Sequence, residues 1–186
     1  IADGVANAPD GRRLTLAEAA DAGLAADGTF ANDKATYSYG TAVAHVAVDP
    51  KTGHVDVIEY VVVDDVGRIV NPLTLHGQVI GGAVQGLGSV FQEHLAYDEN
   101  GQLLVGSLAD YLVPLASDFP HVHGHSLELF PSPNNPLGAK GAGEGGVIPV
   151  GGAVANAVAA ALGVAVHDLP LTPPRVWKLL QDKQSN

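Results

Sequence analysis

Two charged side chains stand among glycines in residues 138–146, which read GAKGAGEGG. They are Lys140 and Glu144, and Glu144 lies between Gly143 and Gly145. Because glycine has no side chain, a large ligand could approach both the carboxylate and the backbone here. A carboxylate in such a position is suited to act as a general base beside a bulky anionic cofactor. The backbone N–H groups of the segment favour an anion or oxyanion.

Two other interpretations of this segment remain open from the residues alone. Gly141, Gly143 and Gly146 spell G-x-G-x-x-G, the pattern of a dinucleotide-binding loop. That loop needs a buried strand running into its first glycine, whereas residues 131–140, PSPNNPLGAK, contain three prolines. The plainer alternative is a glycine-rich helix start without function, in which Glu144 is only a favourable partner of the helix dipole.

The elements around this segment indicate an α+β fold. Alternating apolar residues over 36–48 and 54–64, joined by the turn DPKTG, predict a β-hairpin. A helix is predicted over 73–94 and another over 150–162. Strand pairs with interspersed helices are typical of a two-layer mixed sheet with helices. We divide the chain into an N-terminal helix and loop segment, 1–35, and a C-terminal domain, 36–186.

The predicted helix over 73–94 is unusual because it contains five glycines. An interior glycine costs a helix about 1 kcal/mol relative to alanine. Such a helix therefore needs a reason, and the usual one is close approach of another backbone or of a ligand. Gln78, Gln85 and Gln92 recur every seven residues and project from nearly one face. Gln78 could thus face a ligand, although a solvated stripe is the commoner outcome for glutamine.

Composition excludes several classes of protein. The chain carries 20 acidic and 9 basic residues, a formal net charge of −11, which disfavours nucleic acid and anionic membranes as partners. It has no cysteine and so no thiolate for a zinc or iron–sulfur site. No uninterrupted apolar run reaches ~18 residues, so we expect no membrane span. The absence of methionine leads us to expect a piece of a longer polypeptide.

The three histidines at 121, 123 and 125 share one face of a predicted strand over 121–130. Their ring nitrogens would lie ~7 Å apart along the strand, too far to converge on one ion without help. We therefore expect an exposed strand edge there and predict no metal ligands in this chain.

Three separated stretches resemble a known family. They are NPLTLHGQVIGGAVQGLG, LGAKGAGEGGVIPVGGAVANAVAAAL and the ending LPLTPPRVWKLL. In this order they resemble the C-terminal part of the molybdopterin-binding large subunit of the xanthine oxidase family. That family includes xanthine dehydrogenases, aldehyde oxidoreductases, aerobic carbon monoxide dehydrogenases and bacterial N-heterocycle hydroxylases. The resemblance spans roughly residues 36–180.

The resemblance implies a function and a set of site residues. Glu144 falls on the family's general base. Gln78, Lys140, Gly141, Ala142 and Gly143 fall on positions along the cofactor. The implied reaction is hydroxylation of a C–H carbon of an aldehyde or N-heterocycle, or oxidation of CO, with water as the oxygen source.

The implied cofactor is molybdenum-molybdopterin, in the cytosine dinucleotide form if the source is bacterial. Iron–sulfur clusters and FAD are expected on partner subunits of a cytoplasmic complex. The family's large subunit is several times longer than this chain, so the remainder of that subunit should complete the site. A non-catalytic assembly or binding module on the same scaffold, or a dinucleotide-dependent dehydrogenase, remains as the alternative.

Overall fold

The computed structural model describes residues 3–23, 25, 27–31, 33–119 and 121–184. It divides into two compact units, Ile1–Asp33 and Lys34–Asn186, which are described separately. None of the helices in these ranges is long and apolar enough to cross a membrane.

The first unit is a small hairpin followed by a short helix. Strands β1 (Val5–Asn7) and β2 (Arg13–Thr15) pair antiparallel, and α1 (Leu16–Asp21) follows directly. Thr15 and Glu18 cap α1 reciprocally, because the Thr15 hydroxyl accepts from the Glu18 amide at 3.1 Å and the Thr15 amide donates to Glu18 Oε2 at 2.8 Å.

The second unit contains a three-stranded mixed sheet in the order β3-β4-β5. β3 (Tyr39–Val48) and β4 (Val55–Asp65) form the predicted antiparallel hairpin, with an irregularity between His45 and Val46. β5 (Val122–Leu127) pairs parallel to β4 on its other side. β4 is therefore the central strand, with neighbours along both edges.

The turn between β3 and β4 is fixed by its own side chains. The Asp49 carboxylate accepts from the Lys51 amide at 2.9 Å and from the Thr52 hydroxyl at 2.8 Å. Gly53 has a φ of 74°, and a Cβ there would press against the Pro173 carbonyl oxygen, so only glycine fits.

Three helices complete the unit: α2 (Pro72–Phe91), α3 (Val150–Leu162) and α4 (Pro173–Gln184). The Asn71 side chain caps α2 by accepting from the Leu73 and Thr74 amides, and Pro72 occupies the first turn. α2 ends at Phe91, three residues before the predicted end. α3 ends at Gly163, which adopts the left-handed conformation.

The core lies between the sheet and the helices. α2 packs on β5, α3 packs on β3, and α2 and α3 contact each other. Fully buried side chains come from β4, α2 and α3, among them Tyr60, Val62, Leu87 and Val154. This second unit is thus a two-layer α+β arrangement, as the sequence predicted.

Two of the α2 glycines explain how α2 and α3 come so close. A Cβ at Gly82 would lie 3.2 Å from the Val147 amide nitrogen, and one at Gly86 would lie 2.5 Å from a Val150 methyl carbon. These glycines admit the segment that leads into α3. By contrast, a Cβ at Gly77 or Gly81 would meet nothing within 4 Å.

Candidate functional site

Residues 138–146, here called the glycine loop, are attached at their first end to the end of β4. The Lys140 amide donates to the Val66 carbonyl at 2.9 Å, and the Arg68 amide donates to the Gly138 carbonyl at 3.1 Å. Gly67 and Ala139 form an isolated antiparallel bridge. The residues just beyond the central strand therefore hold the start of the loop.

The last residue of the loop is held against α2. A Cβ at Gly146 would collide with the Val79 carbonyl oxygen and lie 3.0 Å from the Ala83 amide nitrogen. The backbone of the loop thus touches the backbone of α2, which only a glycine allows. Residues 141–145 connect these two attached ends of the loop.

The middle of the glycine loop offers backbone N–H groups as hydrogen-bond donors. The Gly141 amide donates to the Thr36 hydroxyl at 3.3 Å, and the Ser38 hydroxyl donates to the Gly141 carbonyl. In the described part of the chain, the amides of residues 142–146 have no acceptor. Consecutive free N–H groups create a partial positive charge that suits an anionic or oxygen-rich ligand.

Residues 141–145 line a cleft of about 550 Å³. One wall is formed by residues 36–40, which lead into β3, and the other by residues 141–145 with Ile148 and Pro149. Glu144 lies in the second wall and is exposed, and its carbonyl accepts from the Val147 amide at 3.2 Å. The carboxylate that the sequence singled out therefore stands at a cleft beside free backbone donors.

Lys140 occupies a different environment from Glu144. Its ammonium nitrogen lies 2.9 Å from Asp65 Oδ1 and 4.2 Å from the centre of the Tyr39 ring. Both side chains of the ion pair are 5% exposed. The hydrogen bond from Lys140 is the main reason why the pKa of Asp65 is lowered, and the amides of Gly67, Leu129 and Phe130 act in the same direction.

The Lys140–Asp65 pair fastens the glycine loop to the end of β4. Asp65 accepts from the Leu129 amide at 2.9 Å and from the Phe130 amide at 3.1 Å, so it also holds the segment after β5. The Lys140 ammonium group is committed to this internal contact. Its backbone remains beside the hollow described next.

Gln78 and Gly143 come together on the other side of the loop. A Cβ at Gly143 would lie 3.6 Å from Gln78 Nε2. A second hollow of about 310 Å³ opens there, and its lining includes Asn71, Gln78, Lys140, Ala142 and Gly143. The structure therefore brings all the residues predicted to lie along a cofactor to one loop and the facing turn of α2.

Asp64 is the site residue that sequence reasoning missed. It lies in the wall of the cleft, and burial raises its pKa. The signal was present, because two adjacent carboxylates, Asp64 and Asp65, directly follow the apolar run Val61–Val63. Neighbouring residues of a strand point to opposite faces, so the two carboxylates meet different surroundings.

The predicted strand edge that carries the histidines is formed by β5. His123 on β5 lies 3.6 Å from Glu59 on β4, and both side chains are about half exposed. Within the described ranges, no group of three potential ligand side chains is arranged to hold a metal ion.

The residues present fit a large cofactor rich in oxygen atoms. Free amides line one side of the cleft, glycines leave room beside them, and the Gln78 amide faces the second hollow. The dinucleotide interpretation gains no support, because no strand runs into Gly141 and the loop is preceded by turns.

Comparisons with known proteins identify the family of the chain. The profile of the molybdopterin cofactor-binding domain matches residues 2–120. The chain is 41% identical to the 6-hydroxypseudooxynicotine dehydrogenase complex subunit gamma of Paenarthrobacter nicotinovorans, over 86% of this chain and 20% of that protein. It is 36% identical to the carbon monoxide dehydrogenase large chain of Hydrogenophaga pseudoflava, over 79% of this chain and 19% of that protein.

A solved structure shows the same fold. The aldehyde oxidoreductase from Desulfovibrio gigas superposes with a TM-score of 0.75 and 27% identity, over 94% of this chain and 21% of that one. The chain spans about a fifth of the length of the curated relatives it matches. On the strength of the profile match and these likenesses, the chain belongs to the molybdopterin cofactor-binding domain family.

Proposed function

We propose that this chain forms one wall of the active site of a molybdenum hydroxylase. The observation that carries the proposal is the cleft in which an exposed carboxylate, Glu144, stands beside a run of free backbone donors. Relatives named as a dehydrogenase complex subunit, a carbon monoxide dehydrogenase chain and an aldehyde oxidoreductase support an oxidoreductase function.

Glu144 is the proposed general base. It accepts a proton from the water-derived oxygen nucleophile that adds to the substrate carbon, and it later returns that proton to solvent. Its place at the open cleft allows both events, because the carboxylate can reach a bound substrate and water. The proposed substrates are an aldehyde, an N-heterocycle or carbon monoxide.

The glycine loop and Gln78 are the proposed cofactor contacts. The amides from Ala142 onward donate to oxygen atoms of the cofactor, and Gln78 donates or accepts from α2. Gly141 and Gly143 keep the backbone accessible. Lys140 contributes its backbone to this surface while its ammonium group fixes the loop to Asp65. When bound, molybdenum-molybdopterin would supply the two-electron redox chemistry that side chains lack.

Electron transfer beyond this site requires further groups. The sequence contains no cysteine, so it cannot ligate an iron–sulfur cluster through its own thiolates. We place iron–sulfur clusters and FAD on partner subunits, the remainder of the molybdopterin-binding subunit around the cleft, and the whole complex in the cytoplasm. We further propose the cytosine dinucleotide form of the cofactor, which acid hydrolysis of the purified complex would reveal as released CMP.

Replacement of the proposed base tests the function. Glu144→Gln keeps the size and hydrogen-bonding shape of the side chain but removes its basicity. General base catalysis contributes roughly 10²- to 10⁴-fold, so kcat in the assembled enzyme should fall at least about 100-fold. Molybdenum content should stay unchanged, because the backbone and Gln78 provide the cofactor contacts.

Glu99→Gln is the matched control, because Glu99 is an exposed glutamate in the distant turn at 98–101. It should leave both turnover and molybdenum content at the wild-type level. Unchanged turnover in Glu144→Gln, with molybdenum present, would contradict a role for Glu144 as base. An assembly that holds neither molybdenum nor pterin would instead favour the non-catalytic module.

A further inference from the structure

The cleft contains a second carboxyl group with an unusual set of neighbours. Asp64 is the last residue of the buried face of β4, after Tyr60 and Val62, which are both fully buried. Asp64 itself is only 7% exposed. A carboxyl group taken so far out of water normally has hydrogen-bond donors or a cation beside it.

Among the described residues Asp64 has neither kind of partner, whereas the adjacent Asp65 has several. Asp65 accepts three backbone N–H groups and pairs with Lys140 on the opposite face of β4. No described residue donates a hydrogen bond to Asp64 or forms an ion pair with it. The Lys140 ammonium group lies against Asp65 and the Tyr39 ring instead.

Two glycines shape the space around Asp64. A Cβ at Gly40 would collide with Asp64 Oδ1, and one at Gly145 would lie 3.3 Å from Asp64 Oδ2. The carboxyl group is therefore enclosed by the backbones of both cleft walls. Since Asp64 also lines the cleft, its oxygen atoms can be reached from there.

Two other acidic groups lie near Asp64. Glu144 lies in the same cleft, and Tyr60 precedes Asp64 on the same face of β4. Both groups are neutral or negative. Burial raises the pKa of Asp64, and a ligand that closed the cleft would remove the remaining water and act in the same direction.

We propose that Asp64 is a binding residue of the cleft, and that as a neutral carboxylic acid it donates a hydrogen bond to an acceptor atom of the bound ligand. The two carboxyl groups of the cleft thereby divide their tasks: Glu144 accepts protons in the open part, and Asp64 donates from the floor. The inference rests on the proposed function only for the identity of the ligand. That ligand is either the cofactor or the substrate beside it.

Three replacements in the assembled enzyme test this role. Asp64→Leu has similar branching without a donor, Asp64→Ala removes the group with less bulk, and Asp64→Asn keeps a neutral donor. The readouts are molybdenum and pterin per complex, the KM for substrate, and the thermal unfolding midpoint. Asp56→Leu and Asp56→Asn are matched controls, because Asp56 lies on the same strand with its side chain 68% exposed.

We expect Asp64→Leu or Asp64→Ala to lose about tenfold, either in cofactor retention or in KM, while Asp64→Asn stays within about threefold of wild type. Loss of cofactor identifies the cofactor as the acceptor, and a raised KM at full cofactor content identifies the substrate. The Asp56 variants should match wild type.

Two results would overturn the inference. Wild-type retention and KM in both Asp64→Leu and Asp64→Ala would remove Asp64 from the binding site. A loss in Asp64→Asn as large as in Asp64→Leu would show that the charged form is needed. Both results presuppose that the wild type contains molybdenum and pterin, whereas their absence from the wild type contradicts the proposed function itself.

Discussion

Glycine is required at positions of the glycine loop for two different reasons, packing and ligand access. Alanine substitutions should distinguish them. A Cβ at Gly146 would collide with the Val79 carbonyl oxygen and lie 3.0 Å from the Ala83 nitrogen, both of which belong to the backbone of α2. A Cβ at Gly143 would meet only Gln78 Nε2, at the ordinary contact distance of 3.6 Å. Gly146 is therefore needed for packing, and Gly143 is free to serve a ligand.

The expected effects on stability differ in sign as well as size. Gly146→Ala forces the loop and α2 apart, and overpacking of this kind costs typically about 1–3 kcal/mol. The upper end applies because the obstacle is helix backbone, which cannot rotate away. Gly143→Ala should change the free energy of unfolding little, or raise it by about 0.4–1 kcal/mol, since alanine restricts the unfolded chain.

The assay is urea unfolding followed by the fluorescence of Trp177, the only tryptophan of the chain. Molybdenum content of the assembled enzyme is measured for the same variants. Gly143→Ala should bind cofactor more weakly by about 1–3 kcal/mol, roughly 5- to 150-fold, because its methyl group enters the ligand's space. Equal stability of the two variants would refute the packing role of Gly146, and full cofactor content in Gly143→Ala would refute the ligand role of Gly143.

The remaining predictions concern the ion pair and the core. The pKa of Asp65 is lowered in the folded chain, chiefly by Lys140. The ion pair therefore stabilises the fold at pH values above 3.8, the ordinary pKa of Asp. This contribution is lost as the pH falls through the lower pKa of the folded state. Lys140→Met should thus be less stable than wild type at pH 7, and urea midpoints should show the difference shrinking below pH 4; a constant difference would contradict the linkage. Leu87→Ala should cost about 2–5 kcal/mol because Leu87 is fully buried, whereas Leu73→Ala, at a side chain 81% exposed, should stay within about 0.5 kcal/mol in the same assay.

The local elements were predictable because their signals lie close together in the sequence. The alternation in β3 and β4 and the turn at 49–53 each depend on neighbouring residues, and the structure confirms them. The boundaries differ by a few residues, since β3 begins at Tyr39 rather than 36. The small β1–β2 hairpin was missed because three-residue strands have too few positions to show a period.

The long-range contacts of the site could not be derived from local patterns. Lys140 and Asp65 are 75 residues apart, and nothing in GAKGAGEGG indicates that the lysine turns inward. The contacts of the α2 glycines also join residues that lie far apart in the sequence. The sequence predicted a close approach of backbone or ligand, and only the packing shows that Gly82 and Gly86 admit the residues leading into α3.

The most direct test of the central claim is the position of molybdenum. Crystals of the assembled enzyme, measured on both sides of the molybdenum absorption edge, give an anomalous difference map that locates the metal without assumptions about the cofactor. We expect a single strong peak at the cleft between residues 36–40 and 141–145, beside the Glu144 carboxylate. A molybdenum peak at a site that neither Glu144 nor the glycine loop borders would contradict it.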